Sequence, residues 1–256
     1  MILDAKALAG RTVLLTGASG GIGQVTAQAL AAAGATVLAH YRSNRSGAQR
    51  ALAGVPAERA VLLAGDLDTP DAARRLWHQA SAAHQVDVLV LNAGVIPDTP
   101  VDGPDEEWDA GWQQALQVNV IVPGALMREA VRAFAARGSG TVIVLSSWAA
   151  EQGSRIRDVS SYAASKAAIR NLAQTFARAY ARDGLRVHIV APGVVNAGMG
   201  VAGQDDTARS AVAAGLAMGR YVEPEEVASL IAFLAADDCP SLTGATVDIN
   251  GASYIR

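Results

Sequence analysis

Hydrophobic and polar positions along the chain fall into two rhythms. Short apolar runs rich in Val, Ile and Leu occur at Thr12 to Leu15, Ala35 to Ala39, Val61 to Leu63, Val86 to Leu91, Thr141 to Leu145, Val187 to Val190 and Thr246 to Ile249. Runs of this kind suit strands covered on both faces, because a strand with one wet face alternates apolar and polar residues. Between them lie Ala-rich stretches with helical spacing: Ile22 to Ala33, Ala72 to Ala83, Trp108 to Ala136 and Tyr162 to Arg182. Strand and helix therefore alternate. That alternation predicts right-handed crossovers and an α/β architecture: a doubly wound parallel sheet of about seven strands with helices on both faces. Ligands of such a sheet bind at the carboxyl ends of its strands.

With 256 residues, 51% of them hydrophobic, the chain is long enough for one large core. No linker, repeat or low-complexity tail divides it, so the expectation is a single domain over 1–256. Asn196 to Tyr221 is weakly patterned and carries five glycines, which predicts a mobile substrate lid over 196–221. A net charge of -3, with scattered Lys and Arg, gives no basic face for nucleic acid or a membrane surface. The lone cysteine, Cys239, cannot form an internal disulfide and reads as inert packing. The opening Met1 to Arg11 lacks a basic region followed by an apolar one, and no apolar run reaches membrane-spanning length. A soluble cytoplasmic protein with small-molecule partners is expected. His40, His78, His84 and His188 lack metal-ligand spacing and read as surface or edge residues, so no metal is expected.

The segment Thr16-Gly17-Ala18-Ser19-Gly20-Gly21-Ile22-Gly23 follows the first predicted strand and opens a helix. This is the setting a dinucleotide-binding glycine loop requires. Gly17 permits the tight turn, Gly21 lets backbone approach a pyrophosphate, and Gly23 allows helix and strand to pack closely. Free N–H groups at the helix start face the anion. The plainer alternative is a tight strand-to-helix turn. At the end of the second strand, His40-Tyr41-Arg42-Ser43 has Tyr41 where an NAD enzyme carries an acidic residue for the ribose 2'-OH. Arg42, with Arg45 close by, offers fork-shaped donors to a 2'-phosphate, which favours NADP(H) and leaves NAD(H) open. A merely solvated loop arginine is the alternative reading.

Tyr162 and Lys166 stand four residues apart and so share one helix face. Moving a phenol from its usual pKa to about 7 requires about 4 kcal/mol at roughly 1.4 kcal/mol per unit. One cation about 4 Å away supplies about that much at an effective dielectric near 20. Alone, the pair is also what any amphipathic helix can carry. Its company decides: Asn92-Ala93-Gly94 after the fourth strand, Asn119 inside a helix, Ser146-Ser147 ending the fifth strand and Pro192-Gly193 ending the sixth.

This ordered set resembles the short-chain dehydrogenase/reductase family, in its short single-domain branch with a Rossmann fold, from about Arg11 to Gly251. The resemblance implies that Ser147 polarises a substrate carbonyl and Tyr162 exchanges its proton. Lys166 would lower the tyrosine pKa and hold the nicotinamide ribose, and Asn119 would anchor a water relay to Lys166. It implies cofactor contacts at Gly17, Ser19, Gly21, Ile22 and Gly23 for the phosphates and at Tyr41, Arg42 and Ser43 for the adenosine ribose. Asp66 and Leu67 would bracket the adenine. Asn92, Ala93 and Gly94 would border the cofactor, with Val190 to Val194, including Pro192 and Gly193, and Val195 lining the nicotinamide. Alternatives stand beside three of these: Asp66 as a turn cap, Asn92 as a sheet-end brace, and Asn119 bonded back to its own helix.

The chain departs from the family pattern in places. Tyr162 lies 15 positions after Ser147, about two more than is usual, so the intervening loop is longer. Ser146 competes with Ser147, and Ser160 reads as a helix cap. Asn196 replaces a threonine that meets the nicotinamide carboxamide, and can still donate and accept. Asp248-Ile249-Asn250-Gly251 replaces a more glycine-rich ending. The implied activity is NADP(H)-dependent oxidoreduction of a carbonyl or secondary alcohol, as a carbonyl reductase or the reverse dehydrogenase. A 3-oxoacyl thioester reductase of fatty-acid or polyketide type is the near alternative, and a non-enzymatic nicotinamide sensor the remote one. Extended-branch epimerases lack this glycine spacing and carry a larger C-terminal region. Trp148, Arg155 to Ser160, Val95 to Pro97, Met199 and Met218 are the substrate-facing candidates, with Arg155 and Arg157 able to receive a carboxylate or phosphate. The resemblance implies a homo-oligomer, tetramer before dimer, paired through the long helices Trp108 to Ala136 and Tyr162 to Arg182.

Overall fold

The computed structural model describes residue 4 and residues 6–255. The apolar runs become seven strands: β1 (Thr12–Leu15), β2 (Thr36–Tyr41), β3 (Ala60–Ala64), β4 (Val88–Leu91), β5 (Gly140–Leu145), β6 (Leu185–Pro192) and β7 (Thr246–Ile249). They pair in the order β3-β2-β1-β4-β5-β6-β7, every neighbour parallel. Because strand side chains alternate between faces, two cores form. Val13, Leu15, Val37, Val88, Ile143 and Val190 face one way, under α1 (Gly21–Ala32) and α9 (Pro224–Ala236). Leu14, Leu38, Leu89, Val142 and Ile189 face the other way, under α3 (Pro70–Ala83), α5 (Val122–Arg137) and α7 (Ser160–Tyr180). Burying each such side chain contributes roughly 1.5–3 kcal/mol.

The stretch expected as one helix from Trp108 to Ala136 is interrupted. α4 (Asp105–Leu116) starts three residues earlier, with Asp105, Glu106 and Glu107 in its first turn, where the helix dipole favours acids. A π-helical turn over Gln117–Ile121 then separates it from α5. Pro123 explains the break: its ring nitrogen carries no hydrogen, so the Asn119 carbonyl cannot receive the usual bond from four residues on. The weakly patterned 196–221 segment contains a helix of its own, α8 (Asp206–Ala214), capped where the Asp205 carboxylate accepts the Ala208 N–H at 2.8 Å. Asp205 before a helical run was the signal for it.

Four expectations are corrected. His40 and His188 are buried, at 2% and 1% exposure, because they sit in the apolar strands β2 and β6. Cys239 is exposed rather than packed. Ser160 is the first residue of α7 and not its cap; the cap position is Val159, and the Ser160 hydroxyl pairs with that of Thr99 at 3.0 Å.

Candidate active site

The chain leaves β1 for β2 and β3 on one side and builds β4 to β7 on the other, so β1 and β4 meet at the point where the winding reverses. The loops leaving these two strands are tied together there. The Thr16 hydroxyl accepts the N–H groups of Asn92 and Ala93 at 3.0 and 3.1 Å and donates to the Val90 carbonyl at 3.3 Å. The Asn92 amide donates to the carbonyls of Thr16 and Gly17 at 3.0 and 3.2 Å. Asn92 therefore braces the sheet end and also shapes the glycine loop. Gly17 adopts a φ of +70°, and a Cβ on Gly23 would lie 2.0 Å from the Gly17 carbonyl oxygen, so no side chain fits at Gly23.

A cleft of about 820 Å³ opens over these strand ends. At one end it is lined by Gly17, Ser19, Gly21, Ile22 and Gly23, then Arg42, Asp66 and Leu67, then Asn92, Ala93 and Gly94. Ser147, Tyr162, Lys166, Pro192, Gly193, Val194 and Val195 line the other part. Several predicted residues stand outside it: Tyr41, Ser43, Asn119 and the β6 residues Val190 and Ala191 of the cofactor and catalytic set, and Pro97, Arg157, Asp158, Ser160 and Met218 of the substrate-facing set. Tyr41 is buried at 7% exposure, because alternation along β2 turns it inward. Ser43 is exposed beyond the cleft edge, leaving Arg42 as the member of its trio that faces the space. Asn119 is buried behind Gly94.

Two residues that sequence reasoning gave no role hold the glycine-loop end of the cleft together. His40 accepts the Gly17 N–H through Nδ1 and meets the Gly65 carbonyl through Nε2. Asn44 caps α2 (Arg45–Ala51) by accepting the Gly47 N–H at 2.9 Å, and its amide donates to the Ser19 carbonyl at 3.1 Å. An Asn ahead of a short helix was a readable cap signal; its reach back to the glycine loop was not.

In the reacting group, α7 presents Tyr162 and Lys166 to the end of β5. Ser147 and Tyr162 line the cleft together, with the Ser147 hydroxyl near enough to influence the phenol, and the Ser147 oxygen accepts the Ala149 N–H at 3.2 Å. The Ser146 hydroxyl instead donates to the Lys166 carbonyl at 3.0 Å, bracing helix against strand. Ser147 is thus the serine that meets the tyrosine. The Lys166 ammonium donates to the Leu145 carbonyl at 2.9 Å and lies 5.8 Å from the Tyr162 ring centroid. The Asn119 amide donates to the Val95 carbonyl and the Ser165 hydroxyl at 2.9 and 3.0 Å, and its oxygen accepts the Val95 N–H at 2.9 Å. Its side chain bonds across to the β4 loop and α7, and not back along its own helix.

The electrostatics differ from the sequence expectation. Burial pushes the Tyr162 phenol above its ordinary value, and the Ser147 hydrogen bond offsets part of that. The same burial pushes Lys166 down to about 8. Lys166 was expected to be the main influence lowering the phenol; burial is the largest influence instead, because removing a group from water disfavours its charged form. Asn196 is also redirected. Its amide nitrogen donates to the Glu223 carboxylate at 3.2 Å and its oxygen accepts from Arg209 of α8, so it ties the 196–221 segment to α8 and α9 and does not line the cleft.

A family model described as enoyl-(acyl carrier protein) reductase matches residues 17–252. The chain belongs to the short-chain dehydrogenase/reductase family. It is accordingly an oxidoreductase of CH–OH and C=O groups. It is 35% identical to cis-4-hydroxycyclohexanecarboxylate dehydrogenase from Sinomonas cyclohexanicum, covering 96% of this chain and 97% of the relative. It is 32% identical to 3-oxoacyl-(acyl-carrier-protein) reductase from Escherichia coli (strain K12), covering 96% and 98%. Among solved structures, a 3-oxoacyl (acyl-carrier-protein) reductase from Agrobacterium tumefaciens C58 with NADP bound superposes with a TM-score of 0.85 at 32% identity, covering 98% of this chain and 97% of that one.

Proposed function

We propose that this protein is an NADP(H)-dependent carbonyl reductase, equally an alcohol dehydrogenase in reverse, with Tyr162 as general acid and base. One observation carries the reading: Ser147, Tyr162 and Lys166 line one cleft with a glycine loop whose Gly23 admits no side chain. NADP(H) fits the residues present, with backbone N–H groups at the start of α1 for its phosphates and Arg42 for a 2'-phosphate. The NADP-bound relative supports the same choice.

When bound, the reduced nicotinamide supplies the hydride. Ser147 holds the substrate carbonyl oxygen, and the Tyr162 phenol delivers the proton to that oxygen as the carbon accepts the electron pair. A phenol raised by burial stays protonated at neutral pH, which suits a proton donor in the reductive direction. Lys166 offers an ammonium beside Gly94 for ribose hydroxyls, and Asn119, buried behind Gly94, would anchor a water toward Lys166.

The remaining readings belong to the same proposal. Residues 1–256 act as one domain, 196–221 closes over substrate, and the chain works in the cytoplasm. It assembles as a homo-oligomer, tetramer before dimer, through the long helices. Sedimentation as a monomer at micromolar concentration would overturn the assembly.

The relative and the solved structure named for 3-oxoacyl thioesters favour that second substrate reading, and the matching family model brings in enoyl thioesters. NADPH consumption across ketones, aldehydes, 3-oxoacyl thioesters and enoyl thioesters separates them. Tyr162→Phe removes only the transferable proton and is expected to cut kcat about 100- to 10,000-fold while NADPH still binds. Undiminished turnover in that variant refutes the role, and cofactor binding without turnover on any carbonyl identifies a sensor.

A further inference from the structure

The charged side chains that line the cleft, among the described residues, are Arg42, Asp66, Arg155 and Lys166. Arg42 and Asp66 stand at the adenosine end, and Lys166 belongs to the reacting group. Arg155 is the one on the substrate side, and it sits in the lengthened loop between Ser147 and Tyr162.

Its situation differs from that of its neighbours. Arg157 pairs with Asp102 at 3.2 Å, and Arg170 pairs with Glu151. Arg155 makes no ion pair or hydrogen bond among the described residues. Its guanidinium carbon instead lies 5.9 Å from the centroid of the Trp148 ring. That contact restrains a long side chain whose charge has no protein partner. The loop itself is anchored, since the Thr99 N–H donates to the Asp158 carbonyl at 2.6 Å and the Thr99 hydroxyl to the same oxygen at 3.2 Å. Arg155 itself is exposed and lines the cleft wall beside Trp148. Ile96, Val118, Ile156 and Met199 line the space with it, and no carboxylate does so on this side.

We propose that the substrate is a small carbonyl compound, or its alcohol, with an apolar body and a carboxylate, and that Arg155 on Trp148 receives the carboxylate. This rests on the reductase reading above. A guanidinium fork matches a carboxylate with two parallel hydrogen bonds, and its stacking on an indole lowers the ordering cost of binding. Proximity selects a small acid. Trp148 follows Ser147 directly, so the anion site is one side chain away from the hydroxyl that holds the carbonyl oxygen. The phosphates of a carrier thioester lie many bonds from its keto carbon and fall outside that reach.

The test uses NADPH-loaded protein with 4-oxocyclohexanecarboxylate, its methyl ester and a 3-oxoacyl thioester. The expected kcat/KM preference for the acid over the ester is about 10- to 100-fold, set by a charge-assisted bidentate contact. In Arg155→Met the acid-to-ester ratio is expected to collapse toward unity, and Arg155→Lys is expected to retain part of it. An ester turned over as well as the acid, or a ratio unmoved in Arg155→Met, overturns the inference and leaves the reductase reading standing. Arg155→Met impairing the thioester but not the acid also overturns it. Failure on every carbonyl refutes the reductase reading instead. Calorimetry with cyclohexanecarboxylate then decides the anion site: binding lost in Arg155→Met supports it, and no binding to the native chain overturns it.

Discussion

His40 accepts the Gly17 N–H through Nδ1 at 3.3 Å, which obliges its other nitrogen, Nε2, to carry the proton that bonds to the Gly65 carbonyl at 3.0 Å. One neutral imidazole therefore joins the loops that leave β1, β2 and β3. Protonation would place an N–H against an N–H.

This relationship makes the adenosine end of the cleft sensitive to acid. Burial, the largest influence, holds His40 below its ordinary value of 6.5. The unfolded chain then binds more protons than the folded one between the lowered value and 6.5. The stability contributed by neutral His40 is present above pH 6.5 and is lost as pH falls through the folded value. His40→Gln is expected to flatten the acid limb of both thermal stability and NADPH affinity between pH 5 and 8. Parallel limbs in the two proteins would contradict this.

Lys166 works in the opposite pH range. With its pKa lowered from 10.5 to about 8, the folded chain sheds a proton that the unfolded chain keeps. Stability should therefore rise as pH climbs from about 8 to 10.5, on the order of 3 kcal/mol at about 1.4 kcal/mol per unit. Denaturant melts of the native protein and Lys166→Met across this range should diverge in slope, the native curve climbing relative to the variant. Equal slopes would show that the ammonium is not desolvated.

Arg42 lines the cleft beside the glycine loop and makes no ion pair or hydrogen bond among the described residues. Arg42→Ala is expected to weaken NADPH about 10- to 100-fold while leaving NADH nearly unaffected, since NADH lacks the 2'-phosphate. Cofactor titration by fluorescence checks it, and equal weakening of both cofactors would remove the assignment.

Asn196 ties the lid segment to the N-terminus of α9 through Glu223 and to α8 through Arg209. The same latch includes the Tyr221 hydroxyl, which donates to Gln204 at 2.8 Å. Asn196→Ala should raise KM several-fold with less effect on kcat, and should speed proteolysis within 196–221. A kcat loss with unchanged KM and protease resistance would return Asn196 to a direct role at the cofactor.

Much of this molecule is written in local patterns. The strand and helix runs, the glycine loop and the Ser147, Tyr162 and Lys166 set were all legible. The runs and the loop rest on neighbours within one turn or one strand, whereas the Ser147, Tyr162 and Lys166 set was named by a family resemblance. The π-helical turn was less so: Pro123 was visible, but the break it causes depends on how α4 and α5 pack over the β4 loop. Tyr41 and Asn196 were misplaced for a common reason. Their side chains were assigned from position along the chain, and burial on β2 and the Glu223 carboxylate turn them elsewhere.

By itself the sequence determined the order of elements, the parallel sheet and the place of the glycine loop, because periodicity and glycine spacing constrain backbone locally. Tertiary structure alone decided which groups lose their water and which charges find partners. It buried His40, raised Tyr162 and lowered Lys166 through desolvation. It also paired Arg157 with Asp102 and left Arg155 resting on Trp148 at the wall of the cleft. Desolvation and charge pairing depend on groups brought together from distant parts of the chain, and no local pattern encodes them.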